Sequence, residues 1–240
     1  MEVGLPDKNI TLAVIQARMT STRLPGKVLL PLPFPDGDPL ILNLINKLKL
    51  CSQIDQIVVA TPTGELQSPL IHFLDSKGIV SIQGDEHDVL SRFVIAIEQF
   101  NPTTIVRITA DNPFIDIQKL SETILFHKEG NLDYTCSDYL PYGMNIEVVS
   151  AATLLELDKM NDITIEEREH VTMKLYNCSN FKTHIIKSND VDLGHIRVTV
   201  DTPHDYMRSA LLHQLQKNKP LDDDLSFIIK MHSSFPYLFD

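Results

Sequence analysis

Residues 11–27 read Thr11-Leu-Ala-Val-Ile-Gln-Ala17 and then Arg18-Met-Thr-Ser-Thr-Arg-Leu-Pro-Gly-Lys27. The order of those two halves decides the architecture. The first is a short, β-rich apolar run, the pattern of a strand covered on both faces. The second is a turn: Pro25 and Gly26 interrupt regular structure, and Arg18, Arg23 and Lys27 stand among the hydroxyls of Thr20, Ser21 and Thr22. Working outward, the spacing predicts a helix over 40–50, with Lys47 and Lys49 near its end where cations suit the helix dipole. A strand over 54–60 follows, then a helix over 68–76 closed by Gly78, a strand over 79–82, a helix over 88–100, a strand over 104–109 and a helix over 116–127. Strand and helix alternating in this way mean parallel β-α-β units with right-handed crossovers.

After Gly130 the rhythm changes. Strands are expected at Tyr134, 144–149, 181–186 and 197–200, with helices over 151–160, 165–177, 203–216 and 224–232. The reading is one α/β domain over 1–240, a mostly parallel sheet flanked by helices. Residues 1–10 form an N-terminal extension. A β-containing excursion over 130–190 covers the active site or pairs with a second subunit.

Composition narrows the class. The 240 residues carry 21 Lys and Arg against 32 Asp and Glu, a formal charge of −11. That acidity argues against a nucleic-acid or anionic-membrane surface, which needs a broad basic face. Hydrophobic residues at 43% and charged residues at 22% are globular proportions. Cys51, Cys136 and Cys178 are odd in number and widely separated. They support neither a disulfide framework nor a zinc site, and the expected compartment is the reducing cytoplasm. No leader is visible in MEVGLPDKNI, and no apolar run approaches the ~20 residues of a membrane span.

Ligands in an open parallel sheet gather beyond the carboxyl ends of the strands. Three features fall there: the 18–27 turn, Thr109-Ala-Asp111-Asn, and Val200-Asp201-Thr-Pro. The turn reads either as a solvated basic loop or as a polyphosphate grip of guanidinium forks, a lysine and turn amides. Its place after the first strand favours the grip, although it lacks the Walker A pattern. Asp111 and Asp201 read either as helix caps or as two carboxylates holding one Mg²⁺, a hard ion that keeps water and substrate phosphates in its shell. Elsewhere, the 166–170 run reads as a solvated helix face. His72, His127, His184, His213 and His232 read as surface or boundary residues. The Asp222-Asp-Asp224 run reads as a helix cap with solvated neighbours, and Cys136 as a small buried apolar residue. Tyr139 and Tyr142 flank Pro141 in a loop that stacks on a ligand, packs in the core or edges a dimer.

Residues 15–29, Ile-Gln-Ala-Arg-Met-Thr-Ser-Thr-Arg-Leu-Pro-Gly-Lys-Val-Leu, resemble the signature of the cytidylyltransferases that make CMP-activated acid sugars. The stronger likeness is to the spore-coat polysaccharide branch. It extends in order through Gly84-Asp-Glu-His-Asp-Val-Leu-Ser-Arg-Phe93, Val106-Arg-Ile-Thr-Ala-Asp-Asn-Pro-Phe-Ile-Asp116, Gly143-Met-Asn-Ile-Glu-Val148, Glu167-Arg-Glu-His-Val-Thr172 and Arg197-Val-Thr-Val-Asp-Thr-Pro203. The resemblance implies a GT-A-like, Rossmann-like nucleotidyltransferase fold, a Mg²⁺-dependent reaction and a homodimer. It implies that Arg18 and Lys27 hold the CTP phosphates, with Ala17, Thr20, Ser21 and Arg23 beside them, and that Asp111 and Asp201 bind the metal. Asp88, Ser91 and Arg92 approach the nucleotide. By the same resemblance Glu147, Arg168 and His170 belong to the acceptor side, with Arg107 and Arg168 as candidate cations for an acidic acceptor and Tyr142 as a further candidate contact. Thr20 stands where the family has Gly, Ala110-Asp-Asn replaces Gly-Asp-Cys, and residues 34–38 lengthen the next turn, so loop shape departs while the charged groups stay.

The implied reaction is attack of an acceptor oxygen on the α-phosphorus of CTP with loss of pyrophosphate, helped by in-line positioning and cations. The acceptor is a small acidic compound, a sugar acid or a phosphorylated or phosphonate molecule, in surface polysaccharide or glycoconjugate synthesis. Two other readings stand beside it. A GT-A glycosyltransferase would use a nucleotide sugar, but its D-x-D motif is missing at the expected strand end. A noncatalytic nucleotide-binding pathway protein would have no need to keep Arg18, Lys27, Asp111 and Asp201.

Overall fold

The computed structural model describes residues 9–176, 178–187, 193–216 and 223–239. The sequence-based expectations for residues 1–8 and for Asp222 lie outside these. In chain order the elements are β1 (Thr11–Gln16), β2 (Pro31–Leu32), β3 (Asp38–Pro39), α1 (Leu40–Leu48), β4 (Gln56–Pro62), α2 (Ser68–Ser76), β5 (Ser81–Gly84), α3 (Val89–Phe100) and β6 (Thr104–Thr109). They continue through α4 (Ile117–Glu129), β7 (Tyr134–Ser137), β8 (Glu147–Ser150), α5 (Ala151–Asp158), α6 (Ile165–His170), β9 (Thr183–Ile186), α7 (Pro203–Gln216) and α8 (Asp224–Ser234).

Seven strands form one sheet in the order β5-β4-β1-β6-β8-β7-β9. β1 lies between β4 and β6, parallel to both, and β5 extends that parallel half. β8 then runs antiparallel to β6 and β7, and β9 is parallel to β7. The β-containing excursion therefore continues the main sheet. The period of two in β1 sorts its side chains between two cores. Ala13 and Ile15 pack with α1, α2, α4, α7 and α8, whereas Leu12 and Val14 pack with α3 and α5.

Two expected elements differ. The strand over 197–200 is an extended segment outside the sheet, because its hydrogen bonds go to single residues: Val198 N–H to the Tyr142 carbonyl at 2.9 Å and Val200 N–H to the Asp111 carbonyl at 2.8 Å. The helix over 165–177 stops at His170. Val171, fully buried, takes φ 59° and ψ −60°, and Thr172 N–H closes back on the His170 carbonyl at 2.6 Å. This γ-turn is strained for a β-branched residue, and the burial of its side chain beside Leu175 and Phe93 offsets the strain.

Lys47 and Asp224 also depart from the surface roles their sequence context gives them. Both are buried, and the Lys47 ammonium donates to Asp224 Oδ2 at 2.5 Å. The same carboxylate accepts the Ile115 N–H at 2.8 Å and the Gln216 amide at 2.6 Å, while Lys47 lies 5.3 Å over the Phe114 ring. α1, α7, α8 and the loop after β6 thus share one satisfied polar knot. Asp223 caps α8 by accepting the Ser226 N–H.

Removing one partner of such a pair leaves a buried charge unanswered, so Asp224→Ala should cost about 3–5 kcal/mol in urea denaturation; a loss under ~1 kcal/mol would contradict the knot's importance. His127, a second correction to the surface expectation, is buried on Thr135 Oγ1 at 3.0 Å, and burial lowers its pKa from 6.5 to about 4. Its neutral form is the folded form, so its contribution is present above pH 6.5 and is lost as pH falls towards 4. Stability should drop by about 2 kcal/mol between pH 7 and pH 5, and His127→Gln should flatten that part of the slope. An unchanged slope would refute it.

Candidate active site

Three chain segments meet at the carboxyl ends of β1 and β6. Gly26, at φ 71°, starts the short helical turn Lys27–Leu29 and donates its N–H to the Met19 carbonyl at 2.9 Å. That left-handed residue suits glycine and turns Lys27 inward, where only 7% of it stays exposed. The Lys27 ammonium donates to Asp111 Oδ2 at 2.9 Å, to the Val200 carbonyl at 2.7 Å and to Asp201 Oδ1 at 3.2 Å. All three of its protons are answered. Asp201 is met by two further cations, Arg23 at 3.1 Å on Oδ1 and Arg197 on Oδ2.

Neither aspartate is a helix cap. Asp116 caps α4 by accepting the Lys119 N–H at 2.8 Å. At α7 the reciprocal pair is Thr202 and Asp205: Asp205 N–H reaches Thr202 Oγ1 at 3.2 Å and Thr202 N–H reaches Asp205 Oδ2 at 2.8 Å. Asp111 and Asp201 are left to face Lys27. Among the described residues no cluster of three or more His, Cys, Asp or Glu side chains converges. Two carboxylates brought to one cation nonetheless fit a divalent ion of the magnesium type, which takes one or two carboxylates and fills its remaining positions with water and phosphate oxygens.

Around this centre lies a cavity of about 560 Å³. Of the residues singled out in the sequence, Ala17, Arg18, Ser21, Arg23, Lys27, Arg92, Arg107, Asp111, Tyr142, Glu147, His170 and Asp201 line it. Its far wall rests on Glu147, which accepts Arg107 Nη1 on Oε1 and the hydroxyls of Tyr134 and Thr172 on Oε2. The Val171 turn brings Thr172 to Glu147 and sets Glu169 and His170 on the cavity wall. Arg92 is 3% exposed, and burial and nearby Arg18 bring its pKa down to about 10. Tyr142 is half exposed, with the Arg197 guanidinium 4.7 Å over its ring.

Four expected site residues lie outside the cavity lining, each for a local reason. Thr20 donates to Glu86 Oε1 at 2.8 Å. Asp88 caps α3 by accepting the Ser91 N–H, and Ser91 Oγ donates back to the Asp88 carbonyl at 2.7 Å. Arg168 is held by Asp88 at 2.7 Å and Asp158 at 3.0 Å, tying α6 to α3 and α5. Sequence reading missed Gln16 and Glu169 in the cavity wall, and Arg197, which pairs with Asp201 Oδ2 beside it. A signal existed for Gln16, the polar end of an otherwise apolar strand, and for Arg197, four residues before Asp201.

Comparison with known proteins places the chain in a family. The cytidylyltransferase family model matches residues 12–232. A spore coat polysaccharide biosynthesis protein, SpsF, of Bacillus subtilis is 33% identical over 218 residues, 88% of this chain and 90% of that one. The structure of a cytidylyltransferase from Leptospira borgpetersenii superposes with a TM-score of 0.84 at 26% identity, covering 95% of this chain and 96% of that one. A CMP:2-keto-3-deoxy-manno-octonic acid synthetase solved with CTP shares the fold, with a TM-score of 0.65 at 16% identity over 86% of this chain and 99% of the other. The chain belongs to the cytidylyltransferase family and is a nucleotidyltransferase of mixed α/β, Rossmann-like fold.

Proposed function

We propose that the chain transfers CMP from CTP to a small acidic acceptor, a sugar acid or a phosphorylated or phosphonate compound, releasing pyrophosphate. The observation that carries this reading is the meeting of Lys27, Asp111 and Asp201 beside a turn bearing Arg18 and Arg23. Arg18, Arg23 and Lys27 bind the triphosphate and offset the charge that builds as pyrophosphate leaves. In this reading Lys27 exchanges its carboxylate contacts for phosphate oxygens. Asp111 and Asp201 hold the divalent ion, which polarises the phosphate oxygens when bound. Arg107, oriented by Glu147, supplies a fixed cation on the acceptor side, with His170 and Tyr142 shaping the entrance. Magnesium as the ion, homodimeric assembly and a cytoplasmic place in surface polysaccharide or glycoconjugate synthesis follow the family resemblance, the last through the spore-coat relative. Among the described residues no helix is long and apolar enough to cross a membrane.

Screening pyrophosphate release from each of the four nucleotides against sugar acids and small phosphorylated compounds tests the reaction. CTP with an acidic acceptor is the expected pair, and release of UDP or GDP from a nucleotide sugar would point to glycosyl transfer instead. Asp111→Asn and Asp201→Asn should each cut turnover by about 10²–10³-fold with an unchanged melting temperature. Near-normal rates at saturating Mg²⁺ would refute the metal assignment. Lys27→Ala should weaken CTP binding about tenfold in calorimetry, and unchanged affinity would count against its role.

A further inference from the structure

The turn over 18–27 puts Arg18 and Arg23 on the surface, in the kind of connecting segment that is ordinarily the most mobile part of a fold. Its backbone is nevertheless held at Met19. The Gly26 N–H bond to the Met19 carbonyl closes residues 19–26 into a loop. The Met19 side chain packs against the buried cluster that contains Ile15 and Ile41. The Met19 N–H reaches across to the loop after β4, where Gln67 Oε1 accepts it at 2.8 Å. A second clip, the Thr20 hydroxyl on Glu86, ties the next residue to the loop after β5.

The chain around Gln67 fixes that acceptor in place. Gly64, at φ 121° and ψ 159°, takes a conformation open essentially to glycine alone and starts the short helical turn Glu65–Gln67, which runs directly into α2. The Gln67 N–H donates to the Gly64 carbonyl at 3.1 Å, and the residue is 2% exposed. Its Oε1 also accepts the hydroxyl of Thr61, a fully buried residue of β4, at 3.3 Å, so both lone pairs of the oxygen are used. Gln67 does not line the cavity, so whatever it does for a ligand it does through Met19. An apolar side chain of similar size would fill its space and leave the Met19 N–H unanswered.

We propose that Gln67 is a positioning residue for triphosphate binding: through the Met19 amide it keeps the 18–27 turn in its binding shape before the ligand arrives. This rests on the CTP reading above. A ligand that meets a preformed turn spends none of its binding energy on ordering it, and its affinity falls only by the fraction of molecules whose turn is displaced. Without the Gln67 acceptor, the turn satisfies the Met19 N–H by opening to water, so displaced forms gain population. The ligand then has to restore the closed form. The effect lies in the unliganded protein, so it disappears once the ligand saturates the site.

Hydrogen exchange and calorimetric titration with inorganic triphosphate and CTP, both with Mg²⁺, test this on the full chain. Gln67→Leu removes the acceptor at similar volume, whereas Gln67→Glu keeps an oxygen in reach of the Met19 N–H. In the free protein Gln67→Leu should speed exchange over residues 18–22 about tenfold and leave β6 unchanged. It should weaken triphosphate and CTP by the same factor, about tenfold, because the turn meets only the phosphates. Saturating triphosphate should bring exchange over 18–22 back to the level of the unmodified protein, and Gln67→Glu should restore affinity to within about threefold. Exchange or triphosphate affinity unmoved by Gln67→Leu would overturn the proposal. So would faster exchange spread evenly over the fold, a Gln67→Glu variant as weak as Gln67→Leu, or an unmodified protein that does not bind triphosphate. Triphosphate binding that depends on Gln67 in this way, with no pyrophosphate released from CTP by any acceptor, would support the positioning role and refute the transfer reaction.

Discussion

One ammonium group organises the end of the sheet where the cavity lies. Lys27 Nζ gathers Asp111, the Val200 carbonyl and Asp201 from positions 84, 173 and 174 residues away in the chain. Two carboxylates that close repel each other unless a cation stands between them, and Lys27 is that cation in the protein alone. The arrangement is stable without ligand yet ready to exchange its charges. On the function proposed above, a triphosphate would draw the lysine and arginines, and the aspartates freed by that shift would present oxygen to a divalent ion. The local fold serves this contact. β1 and β6 are adjacent and parallel, so their following loops leave the sheet on the same edge, and the Val200 N–H bond to the Asp111 carbonyl seats the third segment beside them.

The rest of the scaffold holds the three segments from behind. The buried knot of Lys47, Asp224 and Gln216 grips the loop after β6 through the Ile115 N–H, a few residues from Asp111. On the other side, Glu147 collects Arg107, Tyr134 and Thr172, so the far wall of the cavity is anchored by hydrogen bonds from β6, β7 and the strained turn after α6. Charged side chains here do structural work on one face and remain available to a ligand on the other.

Much of this was legible in the sequence because it depends on local pattern. The apolar run 11–16 and the alternation that follows give the parallel half of the sheet, and Asp88 and Asp116 begin α3 and α4 as N-caps. The positions of Lys27 and Asp111 in the loops after β1 and β6 follow from the same rhythm, whereas Asp201 follows an extended segment that the sheet does not include. What could not be read depends on partners distant in the chain. Lys47 has the spacing of a solvated helix end, and only the fold brings Asp224 to it. Arg168 looks available for a ligand until Asp88, 80 residues earlier, takes its guanidinium. The turn at Val171 runs against the backbone preference of valine, so local propensity favours continuing the helix where tertiary packing ends it.

The most direct test of the central claim is a crystal structure of the full chain with CTP and Mg²⁺. The triphosphate should lie on Arg18, Arg23 and Lys27, with Asp111 and Asp201 on the same ion and the lysine moved from carboxylate to phosphate. A triphosphate bound away from the 18–27 turn, or an ion that ignores either aspartate, would contradict it.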